Sequence, residues 1–256
     1  MKTILAALAG AFALAMPAFA QAPAVKTIAV EGTEIVVTLG DGRSLRSKDL
    51  VGAVLDVRFD GEPTKVRIAA VEADPDDKTK SVWLHTFEGQ NPQGVWGNLC
   101  GEGPDGRRMG FPLKTGAGGL DFTCTSGAVG KCVRFGYRPW ADGPDGKSLA
   151  PRHAACVRMV RGDYGGDGQP WTKDGMSIDM YDPLGIQTPD NDTAQAFEAG
   201  WTPEGAVCVH HVRVKENTTL AALEAKFPRL KGRTGAICTE AFAKANGAAI
   251  FNRSRP

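Results

Sequence analysis

The residues best suited to chemistry lie in one polar segment, from Arg161 to Asp182. Its aspartates are Asp163, Asp167, Asp174, Asp179 and Asp182. Paired carboxylates of this kind could carry out the acid–base catalysis that glycosidases use. Calcium binding is a second interpretation, since Asp163, Asp167 and Gly168 fit an EF-hand loop, but Gly165 and Asp174 replace two of its ligands. A structural role is favoured, because Asp side chains bond nearby backbone N–H groups in turns.

Two short motifs could form binding surfaces instead. Arg161-Gly162-Asp163 is the tripeptide that integrins bind, so adhesion is one alternative function. Tyr137-Arg138-Pro139-Trp140 predicts either a binding edge at Arg138 and Trp140 or a packed strand end with the arginine over the indole. Tyr164 is expected to pack inward, since it continues the apolar face of the helix before it.

The remaining residues give little support for a cofactor or a metal. His153 lies on the apolar face of a predicted helix, where a hydrogen-bonded core residue is expected. His210 and His211 are neighbours on a predicted strand, so their side chains point to opposite faces. The glycine pattern of residues 101–106 opens no helix and predicts only a turn. No nucleophile motif, zinc motif or Cys-x-x-Cys pair is present, and no cofactor is expected.

The N-terminus resembles a secretory signal sequence. Lys2 precedes an apolar run from Ile4 to Met16, and Ala18-Phe19-Ala20 forms a small-x-small cleavage site. These features predict a signal peptide over residues 1–20 and a periplasmic or secreted protein, cleaved after Ala20. The run is too short to span a bilayer, and no later stretch is long and apolar enough to do so.

The cysteines follow this signal and are even in number: Cys100, Cys124, Cys132, Cys156, Cys208 and Cys238. An oxidising compartment then favours three disulfides. Short loops close at the lowest entropic cost, so we expect consecutive pairing. The expected bridges are Cys100–Cys124, Cys132–Cys156 and Cys208–Cys238.

The charges are balanced, which argues against binding to nucleic acid. The chain has 30 Lys and Arg against 29 Asp and Glu, and loss of Lys2 with the signal peptide would make the two numbers equal. A neutral chain lacks the excess positive charge that attracts nucleic acid or an anionic membrane. A partner in the cell envelope or outside the cell remains open.

Hydrophobic patterns predict an α+β fold in two units. Residues 24–97 alternate in the manner of strands, with a hairpin turn at Asp41-Gly42, and predict a small β barrel or sandwich. The charged residues 74–80 are expected to form a solvated loop. Residues 98–256 predict a disulfide-bonded α+β domain. Its expected helices are 126–134, 148–161, 220–227 and 236–245, and its expected strands are 177–181 and 206–214.

Several ordered blocks resemble the ADYC domain of bacterial exported proteins. They include Cys124–Cys132, Gly136–Trp140, His153–Arg161 and Ile178–Asp182, within about residues 98–215. The Ala-Asp-Tyr-Cys that gives the family its name corresponds here to Gly162-Asp163-Tyr164-Gly165, so a family disulfide at the last position does not carry over. The family has no established activity, and the resemblance implies a class and a compartment without any catalytic residue.

Together these observations favour an exported, non-enzymatic binding or structural module. The alternatives are a secreted hydrolase that uses carboxylates of residues 163–182, and adhesion through Arg161-Gly162-Asp163. The segment from Gly162 to Asp182 is the surface on which we expect function, because loops held by a rigid scaffold often carry it. Its predicted site residues are Asp163, Tyr164, Asp167, Asp179 and Asp182.

Overall fold

The computed structural model describes residues 23–59, 62–114, 119–190 and 192–255. The predicted signal peptide and its cleavage site lie outside these residues. The strands are β1 (Val25–Glu31), β2 (Glu34–Leu39), β3 (Ser44–Arg46), β4 (Val54–Phe59), β5 (Glu62–Ala73), β6 (Trp83–Gln90), β7 (Trp96–Asn98), β8 (Gly110–Lys114), β9 (Leu120–Cys124), β10 (Asp179–Tyr181), β11 (Ala196–Thr202), β12 (Gly205–Val209) and β13 (Ile250–Ser254). The α-helices are α1 (Ala128–Arg134), α2 (Ala150–Arg161), α3 (Leu220–Lys226) and α4 (Glu240–Ala245).

The strands form three antiparallel sheets, and none of the three closes on itself. Their orders are β1-β2-β3, then β4-β5-β6-β8-β9 with β7 paired to β6, and finally β10-β13-β11-β12. The described residues of 24–97 therefore do not show the expected closed barrel, although the strands and helices together agree with an α+β fold. The second sheet contains strands on both sides of residue 97, and the division into units at that point stays a prediction.

The first two sheets share one apolar core. Ile35 and Val37 of β2 pack with Val66 and Ile68 of β5 and with Phe87 of β6. The alternation of apolar and polar residues in β5 produces this arrangement, because successive side chains point to opposite faces of the strand. Gly42 has a φ of 88° in the turn between β2 and β3, as the hairpin motif predicts.

Helices α1 and α2 connect these sheets to the third one. Gly162 ends α2 in the left-handed conformation, with a φ of 61°, as expected. Gly127, and not Ser126, occupies the N-cap of α1, and no side chain caps that helix. The buried face of α2 is formed by Ala155, Cys156 and Met159, while Val157 and Val160 are half-buried.

All six cysteines are paired, in the three bridges predicted from loop length. Cys100 lies two residues after β7 and is bonded to Cys124 at the end of β9, and Cys132–Cys156 joins α1 to α2. Cys208–Cys238 ties β12 to the chain before α4. These bonds are compatible with an oxidising compartment. Within the described parts of the chain, none of the helices has both the length and the apolar character needed to cross a bilayer.

The third sheet was only partly predicted. Strand β12 ends at Val209 instead of continuing to residue 214, and β11 and β13 were missed. Strand β11 contains Glu198 and Gly200, which interrupt its apolar pattern. Glu198 is nevertheless fully buried, because Arg213 neutralises it inside the core.

Most of the charged loop of residues 74–80 is exposed, as expected, but Asp74 and Asp77 turn inward. Asp74 is buried, and both of its carboxylate oxygens accept hydrogen bonds from Arg134 of α1. Asp77 accepts bonds from the backbone N–H groups of Ser81 and Val82, and from Arg138. Burial alone would raise the pKa of Asp77, but the hydrogen bonds outweigh it and hold that pKa well below its usual range. The loop thus fastens α1 to the second sheet.

Candidate functional site

The carboxylate of Asp163 holds the chain together where α2 ends. It is fully buried and accepts hydrogen bonds from the backbone N–H groups of Gly166 (2.8 Å) and Gly168 (2.9 Å). It also forms an ion pair with Arg158 of α2. Asp167 bonds the backbone of Gln169 and pairs with Lys226. Both aspartates therefore make the backbone contacts expected of turn residues. Adhesion through Arg161-Gly162-Asp163 would need an exposed carboxylate, whereas the carboxylate of Asp163 is buried.

Tyr164 is also buried, as expected from its place beyond the apolar face of α2. Its ring stacks on Trp201, and its hydroxyl donates a hydrogen bond to Glu198 (2.9 Å). The next residue is Gly165, where the family name has a cysteine. A side-chain carbon at Gly165 would overlap the ring of Phe227, so that ring fills the space in which a cysteine would lie.

Asp179 and Asp182 are likewise buried and bound to nearby groups. Asp182 accepts hydrogen bonds from the hydroxyl of Tyr137 (2.9 Å) and from two backbone N–H groups. Asp179 accepts one from the backbone of Asp190 (3.1 Å), and burial raises its pKa. These hydrogen bonds indicate that Asp179 and Asp182 stabilise the loops beside β10.

The two residues of the predicted binding edge differ: Arg138 is held by hydrogen bonds, and Trp140 is exposed. Arg138 donates hydrogen bonds to Asp77, Thr79 and Ser81, which places its guanidinium in the contact between α1 and the second sheet. Trp140 has an exposed fraction of 40%, and its indole lies against Gly32. Whether this edge binds a partner stays a prediction.

The histidines do not converge on a site. His153 lies within hydrogen-bond distance of the carbonyl of Val129 (3.2 Å), and burial lowers its pKa. The rings of His210 and His211 lie at right angles, with their centres 6.0 Å apart. Among the described residues, no three His, Cys, Asp or Glu side chains come together in a group that could hold a metal ion.

Two adjacent clefts lie beside α1 and α2. The first has a volume of about 520 Å³ and the second about 430 Å³. They are continuous, because Lys131, Val160, Met176 and Ile178 line both of them. We call the two clefts together the groove. Helix α1 provides one wall, and α2 with residues 170–180 provides the other.

Apolar side chains dominate the first cleft, and three of them are methionines. They are Phe135, Met159, Val160, Met176, Ile178 and Met180. Methionine is flexible and polarisable, and it is frequent at surfaces that adapt to varied apolar ligands. Both volumes fall in the range of pockets that hold small organic molecules. The arrangement is therefore suited to binding an apolar group.

Two contacts hold the walls of the groove in place. The Cys132–Cys156 disulfide joins α1 to α2 next to Lys131 and one turn from Met159. The segment after Gly168 is fixed at Trp171, whose backbone N–H donates to the carbonyl of Arg161 (3.1 Å). The groove thus lies between rigid elements, which favours a preformed site.

None of the predicted site residues lines the groove. Asp174 lines the second cleft, whereas Asp163, Tyr164, Asp167, Asp179, Asp182, Arg138 and Trp140 line neither cleft. Lys131 and the methionines were not predicted from the sequence. The clustering of methionines could have indicated the groove, since three of the six methionines of the chain lie between residues 159 and 180. No periodic pattern marks them, since they come from α2, a loop and β10.

Replacing Asp163 with alanine should lower the free energy of unfolding by about 2 kcal/mol, because it leaves buried backbone donors unpaired. Urea unfolding of the oxidised protein measures this effect, and Asp174→Ala is the matched control at an exposed aspartate. Added calcium should leave the melting temperature of the wild type unchanged. A rise with calcium that disappears in Asp163→Ala would show a metal site instead of a turn.

Comparison with known proteins gives one match. No curated protein and no solved structure matches this chain. The family model of the ADYC domain matches residues 47–215, which is more than half of the chain. The match begins before β4 and extends beyond β12, so it includes both clefts and strands of the second sheet. The chain therefore belongs to the ADYC domain family.

Proposed function

We propose that the protein is an exported, non-enzymatic binding module whose ligand lies in the groove. The single observation that carries this proposal is the first cleft, in which methionine, isoleucine and valine side chains surround about 520 Å³ beside two linked helices. Large apolar concavities with a few polar groups at the edge are the usual form of small-molecule sites.

The positions of the carboxylates support binding over hydrolysis. A hydrolase of the proposed kind needs two carboxylates that face one bound substrate. Asp163, Asp179 and Asp182 are buried, and each is bound to groups that hold its loop. Asp174 is the one aspartate of the 163–182 segment that lines either cleft.

The uncharged dye Nile red provides the first test, because its fluorescence rises when it enters an apolar site. The wild-type protein should bind the dye, and Met176→Glu should weaken binding by about tenfold, since it places a charge on the wall that both clefts share. Val95→Glu is the matched control, because Val95 is 61% exposed and lies outside the groove.

Equal binding of Nile red by the wild type and by Met176→Glu would overturn the proposal, since the dye would then sit elsewhere. Both variants should unfold cooperatively near the wild-type melting temperature, as Met176 is only half-buried. This measurement separates loss of the site from loss of the fold.

A further inference from the structure

The two ends of the groove differ in polarity. Phe135, Met159 and Met180 line only the first cleft, and so do the charged residues Asp76, Asp105 and Arg134. The opposite end belongs only to the second cleft and contains Arg161, Lys173 and Asp174. A ligand that fills the groove therefore meets apolar side chains beside both acidic and basic groups at one end, and mainly basic groups at the other.

The charged groups at the rim of the first cleft are already paired with one another. Arg134 lies 2.7 Å from oxygens of Asp74 and Asp76, and 2.9 Å from Asp105. Thr125 donates its hydroxyl hydrogen to the carbonyl of Met109. An amide or hydroxyl of a ligand would find few free partners here, and burying it unpaired would be unfavourable. This end fits a plain hydrocarbon chain better than a peptide.

Cationic groups predominate in the second cleft. Lys131, Arg161 and Lys173 line it together with a single acidic residue, Asp174. Arg161 uses one nitrogen to bond the carbonyl of Gly168 (2.6 Å). The ammonium of Lys131 has no hydrogen bond or ion pair to any of the residues that the structure describes, although this residue is half-buried. Lys131 lines both clefts, so its unpaired ammonium, together with Arg161 and Lys173, favours an anionic group of a ligand at that place.

We propose that the groove binds a single-chain amphipathic anion of the aliphatic carboxylate class. The hydrocarbon chain lies along Met159, Met176 and Met180, and the carboxylate lies at the second cleft beside Lys131. Flexible methionine side chains adapt to a flexible chain, and the ammonium of Lys131 pairs with the carboxylate. This inference rests on the proposed function and adds to it the class and the orientation of the ligand.

Three probes with the same ten-carbon chain test the head group: decanoate, decan-1-ol and decyltrimethylammonium. Each is titrated as monomers against the wild-type protein with bound Nile red, and its displacement of the dye is measured. We expect decanoate to bind about tenfold more tightly than the alcohol, as one charge-assisted hydrogen bond would give. The ammonium compound should bind most weakly. Because this comparison uses only the wild type, it does not depend on the folding of any variant.

Two lysine variants test the position of the carboxylate. Lys131→Met keeps the aliphatic stem and removes the charge, so decanoate should bind about tenfold more weakly while decan-1-ol is unaffected. Lys244→Met is the matched control, because Lys244 also lies in the last turn of a helix but outside the groove. It should leave all three affinities unchanged.

The results separate this inference from the proposed function. Equal affinities for decanoate and decan-1-ol, or an unchanged decanoate affinity in Lys131→Met, would overturn the assignment of the ligand class. The proposed function would still stand if Met176→Glu abolishes binding of Nile red. If Nile red binds the wild type and Met176→Glu equally, both conclusions fall together.

Discussion

Replacing Glu198 with glutamine should lower the free energy of unfolding by about 3–5 kcal/mol. Glu198 and Arg213 form an ion pair with both side chains fully buried, and the guanidinium reaches the carboxylate at 2.8 and 2.9 Å. Glutamine has nearly the same shape but no charge. The substitution therefore leaves the cation of Arg213 in the core without a counter-charge.

Other buried groups depend on the same carboxylate. Tyr164 donates its hydroxyl hydrogen to Glu198, and Asn252 donates its side-chain amide at 2.7 Å. Asn252 also accepts a bond from the indole of Trp201. Burial opposes ionisation of Glu198, but Arg213 and the side chains of Ser254 and Asn252 outweigh it and hold its pKa below the usual range. The carboxylate thus links β11, β13 and the chain after α2.

Urea unfolding of the oxidised protein measures the effect, with Glu216→Gln as the control at an exposed glutamate. The double variant Glu198→Gln, Arg213→Met removes both charges and should recover part of the lost stability, because no buried charge then remains unpaired. A loss of less than about 1 kcal/mol in Glu198→Gln would contradict a buried ion pair at this position.

Acid should destabilise the second sheet through His85. The imidazole is fully buried in β6, stacks on Phe87, and has no hydrogen-bond partner at either nitrogen. Burial lowers its pKa from 6.5 to about 4, and the nearby backbone of Trp83 and Gly110 offsets this only in part. Between pH 6.5 and about 4, His85 is protonated in the unfolded chain but stays neutral in the folded protein. Stability is therefore lost as the pH falls from 6.5 to about 4.

The expected loss from His85 is about 1.4 kcal/mol per pH unit and about 3 kcal/mol in total. His85→Phe preserves a flat ring and should remove this part of the pH dependence. The test is the free energy of unfolding in urea at several pH values for the wild type and the variant. His210→Gln removes an exposed imidazole and is the control for losing a histidine.

Parallel pH curves for the wild type and His85→Phe would show that His85 does not titrate between the two states. The other buried histidines act in the same direction, because burial also lowers the pKa of His153 and His211. The difference between the two curves, rather than either curve alone, therefore isolates His85.

Features set by local chemistry were predictable from the sequence. Gly162 ends α2 because glycine accepts a positive φ, and the disulfides join neighbouring cysteines because short loops close easily. The turn role of Asp163 also follows from its side chain, which reaches backbone N–H groups a few residues away. In each case the partners lie within about 30 residues of one another.

Features that depend on distant partners were not predictable. Strand β13 pairs with β10 across about 70 residues, and nothing in either short strand specifies the other. Nothing in the local sequence indicates that Glu198 and Arg213, which are 15 residues apart, form an ion pair in the core. The groove was missed for the same reason, because its walls come from α1, α2 and β10, whose side chains meet only in the folded protein.

The disulfides have a consequence for how the protein is made. The first cysteine is bonded to the second, the third to the fourth and the fifth to the sixth, with separations of 24, 24 and 30 residues, and no bridge encloses or crosses another. A chain that is threaded N-terminus first into an oxidising compartment exposes its thiols in this same order. Oxidation of each new pair as it emerges then gives the native connectivity directly, without the reshuffling that interleaved bridges require.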